Sequence, residues 1–133
     1  MNIVKEVKLL KYQMNLMKHM INPDEHLFFM FAIDHEFEEE QVNALLKILY
    51  AFNNRLKDEE VSIFSQADHL FSQFDIPLDM IYSTQRPTLD EFKLYLTKIF
   101  YQDFELEYLL SSLKKQSIQS TVCDYFLKLL RRE

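Results

Sequence analysis

Apolar residues recur along this chain at intervals of three and four, the spacing that lays one stripe down the side of an α-helix. Near the start, Ile3, Val7, Leu10, Met14, Met17 and Ile21 are separated by strictly alternating fours and threes. This is the seam spacing of a coiled coil, and it predicts a helix over 2–20 that faces a partner helix, in a second copy or within the same chain. "NPDE" then reads as a helix start. Asn22 can cap, Pro23 sits in the first turn where its missing N–H does no harm, and Glu25 can complete a capping box. The predicted second helix runs from Pro23 to about Ile33, and with Leu27, Phe28, Met30, Phe31 and Ala32 it is apolar nearly all round, so it is expected to be largely buried.

A third helix is expected from about Glu38 to Leu56 on the face of Val42, Leu45, Leu46, Leu49, Phe52 and Leu56, with "NNRLKDEE" as its frayed end or turn. A fourth spans Ser62 to Phe74. "DIPLDMIYSTQRP" has no clear period and is bracketed by prolines, so it reads as a loop over 75–87, with an extended piece or a helical turn around Leu78 to Ile81. Thr88 and Glu91 form a second capping-box pattern and open a fifth helix using Phe92, Tyr95, Leu96 and Ile99. A sixth runs from about Asp103 to Lys115, and the last from Ile118 to about Arg131.

The absence of glycine, with only three prolines, disfavours tight β-hairpins and phosphate-cradling loops. The fold class expected is therefore all-α, a compact bundle of six or seven short helices in one domain over 1–133, with 75–87 as a candidate hinge. A chain of 133 residues is long enough to bury roughly two thirds of its unfolded surface. One cysteine, Cys123, excludes an internal disulfide and a cysteine-rich zinc site, and fits a reducing cytoplasm. Neither a secretory leader nor a stretch of about 18 apolar residues is evident, which agrees with a cytoplasmic location.

The chemistry-bearing residues concentrate in "DHEFEEE". His35 and Glu39 stand four apart and could begin a metal site, yet the HExxH spacing is absent, so solvated charge at a helix start accounts for them more simply. An acidic patch of Glu36, Glu38 and Glu39 beside Phe37 suits a basic, partly apolar protein partner. Asp68-His69 has no nucleophile at a converging spacing, Cys123 reads as a core residue, and Tyr50, Tyr95, Tyr101, Tyr108 and Tyr125 fall at spacings typical of cores. The net charge of −6 and a Lys- and Arg-free candidate recognition helix, "SIFSQADHLFSQF", argue against nucleic acid. Lys5, Lys8, Lys11 and Lys18 make the first helix the most basic region, but its seam has no aromatic anchor for a membrane surface.

"LFFMFAIDHEFEEEQVNALLKIL" and "TLDEFKLYLTKIFYQDFELEYLLSSLKKQSIQSTVCDYFLKLL" resemble the two main blocks of a small Firmicute family of uncharacterised helical proteins, typified by the Bacillus protein YhaI. The resemblance covers about two thirds of the chain. It implies a compact all-α fold and self-association, and it brings no catalytic residues and no cofactor. Where the family has turn glycines, this chain has His35 and Gln116 or Ser117, so its local turn geometry is open to difference.

The function expected is a protein–protein interaction or regulatory module, homodimeric through Ile3, Val7, Leu10, Met14, Met17 and Ile21, rather than an enzyme. The alternative is a small-ligand protein or enzyme with a pocket between the second helix and the 75–87 loop, where His26, Asp34, His35 or Asp79 would converge.

Overall fold

The computed structural model describes residues 2–59 and 69–132. Eight α-helices are present among them: α1 (Ile3–Met20), α2 (Leu27–Asp34), α3 (Glu39–Leu56), α4 (Leu70–Gln73), α5 (Leu78–Ile81), α6 (Leu89–Ile99), α7 (Leu106–Lys115) and α8 (Ser120–Arg131). No strand occurs among the described residues, and the expected all-helical bundle is what is found. Part of the predicted fourth helix, residues 62–68, lies outside the described residues, as does Asp68 of the Asp68-His69 pair.

α3 is the central rod. Ala44, Leu45, Ile48, Leu49, Ala51 and Phe52 on it are fully buried, and it packs on α8 and α6 as well as on the short α4 and α5. The core between α3, α6 and α8 is aromatic: Phe92 and Phe126 stack at 4.7 Å between ring centroids, and Phe52 meets both edge-on. Such pairs add about 0.5–1.5 kcal/mol to the area they bury. α7 and α8 form a hairpin, and α2 lies across α7.

With no glycine available, the helix ends are closed by other residues. Glu36, Asp58, Asp75 and Ser117 take left-handed backbone angles (φ 56–62°) immediately after α2, α3, α4 and α7. After each, the next N–H bonds back to the helix in the Schellman pattern: Phe37 to Ala32 O, Glu59 to Asn54 O, Ile76 to Phe71 O and Ile118 to Leu113 O. At the first of the turns where the resembling family has glycine, His35 has φ −93° and the left-handed position falls one residue later, on Glu36; at the second it falls on Ser117. A left-handed non-glycine residue costs about 1–2 kcal/mol, which the satisfied carbonyls and the burial of Ile76 and of the half-buried Phe37 and Ile118 offset.

Several expectations change. "NPDE" does start a helical segment, with Asn22 Oδ1 accepting from Asp24 N at 3.0 Å, but it is a 3-10 turn (Pro23–Glu25) that breaks at His26 before α2 begins. α2 is not largely buried. It packs on α7 through Phe28 and leaves Phe29 and Ile33 exposed, because nothing described covers its other side. The polar end of α3 takes the second of its two expected forms, a turn at Lys57 and Asp58, and Asn54 and Arg55 just before it are buried. Of the tyrosines read as core, Tyr95 is buried and Tyr125 half-buried, whereas Tyr50, Tyr101 and Tyr108 face outward. Cys123 lies in the core as expected, and burial pushes its thiol up to about 12.

Candidate functional site

α1 begins at Asn2, whose Oδ1 accepts from Lys5 N at 3.2 Å, and carries Lys18 and His19 in its last turn, where cations are favoured. It is a well-formed helix with no buried residue. Ile3, Val4, Val7, Leu9, Leu10, Tyr12, Met14, Leu16, Met17 and Met20, together with Ile21 just beyond its end, are 37–82% exposed, and no described element packs along it. Its end is tied to the body by an ion pair of 3.0 Å from Lys18 Nζ to Asp34 Oδ1 at the end of α2. All six residues predicted for self-association therefore stand on the surface.

The acidic turn is built by two adjoining helix ends. After α2, His35 and Glu36 reverse the chain, and Glu38 begins α3 with its backbone N–H donating to Gln41 Oε1 at 2.8 Å. Glu36, Glu38, Glu39 and Glu40 remain exposed. Phe37 does not join them. It packs among Phe31, Phe100 and Phe104, at 4.5 Å from the Phe100 ring, and so anchors the turn from below. The aromatic that stands beside these carboxylates is Tyr101, whose hydroxyl donates to Glu38 Oε1 at 3.4 Å and whose proton the Glu38 charge helps to retain. His35 stacks on Phe31 at 4.1 Å, with Nδ1 2.9 Å from the Phe31 carbonyl oxygen. Its ring belongs to the aromatic cluster, while Glu39 stays exposed. Among the described residues no group of three or more His, Cys, Asp or Glu side chains is placed to hold a metal ion.

The residues proposed to line a ligand pocket are separately engaged. His26 stacks on Phe29, Asp34 pairs with Lys18, His35 is wedged against Phe31, and Asp79 is exposed in the first turn of α5. Grooves are present, and Asp34 lines one of them. One of about 400 Å³ runs between α2 and α7 past Met30, Asp34, Tyr108 and Lys115. Another, of about 350 Å³, lies along α8 beside Arg86, Tyr125, Lys128 and Arg132. In the latter, hydrogen bonds from Lys114 and Lys128 hold the Asp124 carboxyl down at about 2.

Three polar arrangements escaped the sequence reading, two of them centred on the buried side chains of Arg55 and Gln41. Arg55 grips Glu91 with two bonds of 2.7 and 2.8 Å, donates to the carbonyls of Gln85, Met80 and Ile81, and lies 5.1 Å over the Phe52 ring. Tyr95 completes the network, its hydroxyl donating to Glu91 at 2.6 Å, and burial and that bond hold its proton well above the usual phenol range. Arg55 thereby ties the 75–87 loop to α3 and α6. Glu91 was read as half of a capping box; Thr88 does cap Glu91 N at 3.1 Å, but the Glu91 carboxylate turns to Arg55 instead. Gln41 and Gln102 form a reciprocal amide pair, and Gln41 also donates to the Ile99 carbonyl. Gln116, 88 residues away in sequence, caps α2 by accepting from Phe28 N and Phe29 N. Arg55 had one visible signal, its place three residues after Phe52 within the buried stripe of α3.

No described helix is long and apolar enough to cross a membrane. No curated protein and no solved structure matches the chain. A family of proteins of unknown function, DUF1878, matches residues 1–86, a span that takes in α1, the acidic turn and all of α3 and stops short of Thr88, where the second of the two resembling blocks begins. Since this is well over half of the chain, the protein belongs to the DUF1878 family.

Proposed function

We propose that the protein is a protein–protein interaction module with a regulatory or adaptor role, self-associating through α1 and presenting the acidic turn of Glu36, Glu38 and Glu39 to a basic partner. The observation that carries this is α1 itself: a capped, 18-residue helix whose seam residues are all solvent-exposed, within the family-matched part of the chain. Large contiguous apolar patches on soluble chains mark surfaces that another molecule covers. The acidic turn supports the second half of the proposal more weakly, because Phe37 is turned inward and the contact would rest on the carboxylates and Tyr101. We read the chain as one cytoplasmic unit close to the YhaI-like Firmicute proteins, supported by α3 contacting elements on both sides of the 75–87 loop and by a cysteine content of one.

The test is the oligomeric state. Sedimentation velocity at micromolar concentration is expected to give a dimer. Leu10→Asp combined with Met14→Asp is expected to give a monomer that retains most of its helical circular dichroism. A wild-type chain that sediments as a monomer throughout would overturn the proposal.

A further inference from the structure

We propose that α1 pairs with α1 of a second copy in parallel and in register, as a two-stranded coil. This rests on the self-association reading above and adds the direction and register of the occupant. On a heptad wheel, Ile3, Leu10 and Met17 take position d, and Val7, Met14 and Ile21 take position a. A β-branched residue at a followed by leucine at d, as in Val7 and Leu10, is the pairing that favours two parallel strands. All six are exposed in the isolated chain.

The residues flanking the seam decide the direction. Glu6 and Gln13 occupy g, while Lys11 and Lys18 occupy e. In a parallel coil each g residue faces the e residue five positions later in the other strand, which sets Glu6 opposite the partner's Lys11 and Gln13 opposite the partner's Lys18, each twice by symmetry. In an antiparallel coil e faces e and g faces g. Lys11 would then meet its own copy, and Glu6 would have no lysine across the seam. The helix carries four lysines against one glutamate, so the placement of that glutamate is what separates an attractive pairing from a repulsive one.

Direction has a consequence for the body of the molecule. The ion pair of Lys18 with Asp34 fixes the acidic turn near the C-terminal end of α1, since Glu36 follows Asp34 by two residues. Parallel pairing therefore brings the two acidic turns to the same end of the dimer. Antiparallel pairing would set them apart by roughly the 27 Å length of an 18-residue helix. Two acidic turns side by side could engage one basic partner bivalently, which raises avidity without any new contact.

The experiment uses the full chain. In the parallel register Lys11→Glu sets like charges against the partner's Glu6, so the dimer dissociation constant is expected to rise about three- to tenfold. Glu6→Lys should do the same, and the double exchange Glu6→Lys with Lys11→Glu should return it to the wild-type value. Independently, Ile3→Cys should form an interchain disulfide on mild oxidation, while the buried Cys123 leaves the wild-type chain uncrosslinked. Tighter association of Lys11→Glu, or a dimer of Ile3→Cys that does not crosslink, would overturn the parallel register and leave self-association standing. A mass above the dimer would overturn the two-stranded coil. A wild-type monomer at every concentration would overturn this inference and the reading on which it rests together.

Discussion

α1 and α3 are the same length, 18 residues, and each carries ten apolar side chains, yet α3 has nine buried positions and α1 has none. Length and the number of apolar side chains do not tell these helices apart. What separates them is side-chain shape and the fate of their polar groups. α3 offers Ala44 and Ala51, which admit neighbours closely, beside Phe52 in the aromatic core, and its interior polar residues find partners in remote segments. α1 has methionines and aliphatic residues, lysines around much of its polar side, and no alanine or phenylalanine. An apolar stripe states that a face has to be covered; it does not state by which molecule.

The contrast breaks most easily at Arg55, whose side chain is 4% exposed beside a Glu91 side chain that is 15% exposed. Removing one partner of a buried pair leaves the other charge desolvated and unpaired, at a cost of about 3–5 kcal/mol. Arg55→Ala is therefore expected to lower unfolding stability by that much in urea titrations. Arg55→Met with Glu91→Met should regain more than half of the loss, since no unpaired charge remains. Leu10→Ala, a truncation of comparable size on α1, should leave the unfolding of the monomeric body within about 0.5 kcal/mol of wild type. A loss of several kcal/mol from Leu10→Ala would mean that α1 packs on its own body and that the two helices do not differ as described.

A second test probes the joint between the two regions. α2 sits between α1 and α3, and its first N–H groups are capped by Gln116 from the end of α7. Gln116→Ala leaves those donors without an acceptor, for an expected loss of about 1–2 kcal/mol and faster amide exchange at Phe28 and Phe29. Gln116→Glu keeps an acceptor at a helix N-terminus, where negative charge is favoured, and should stay near wild type. If Gln116→Ala also weakened dimerisation while Gln116→Glu did not, α2 would be shown to set how α1 is presented.

Periodicity recovered the longer helices because their apolar residues recur at three- and four-residue intervals, and the caps at Asn22 and Thr88 use local chemistry that a short window contains. Other features depend on residues far apart in the chain. Nothing near Leu27 announces that a glutamine in another helix will cap α2, and nothing near Arg55 names Glu91 as its partner. Phe37 misled for the opposite reason: its acidic neighbours suggested a surface, whereas the left-handed Glu36 turns the next residue inward. The exposed face of α2 was missed because its all-round apolar pattern states only that it has neighbours, and α7 covers one side of it. The Glu-rich turn and the α1 seam were legible as patterns because each is a run of adjacent or evenly spaced residues, although the seam's spacing fitted a partner in the same chain as well as in a second copy.

The smallest expected effect concerns how the helices stop. α3 ends with a left-handed residue, Asp58, and so does α7, with Ser117, whereas α1 ends in extended backbone at Ile21. The body thus holds left-handed strain that α1 lacks. Ser117→Gly relieves a backbone cost of about 1–2 kcal/mol and gives back about 0.4–1 kcal/mol through the greater freedom of the unfolded chain. The expected net gain is about 0.5–1 kcal/mol, a rise of roughly 2–5 °C in the melting temperature of a domain this size. Ile21→Gly has no left-handed angle to relieve and removes a seam side chain, so it should stabilise nothing and weaken the dimer. Destabilisation by Ser117→Gly would mean that the serine side chain contributes more to the α7–α8 turn than its φ of 62° costs, and that the body's helix ends are no more strained than the end of α1.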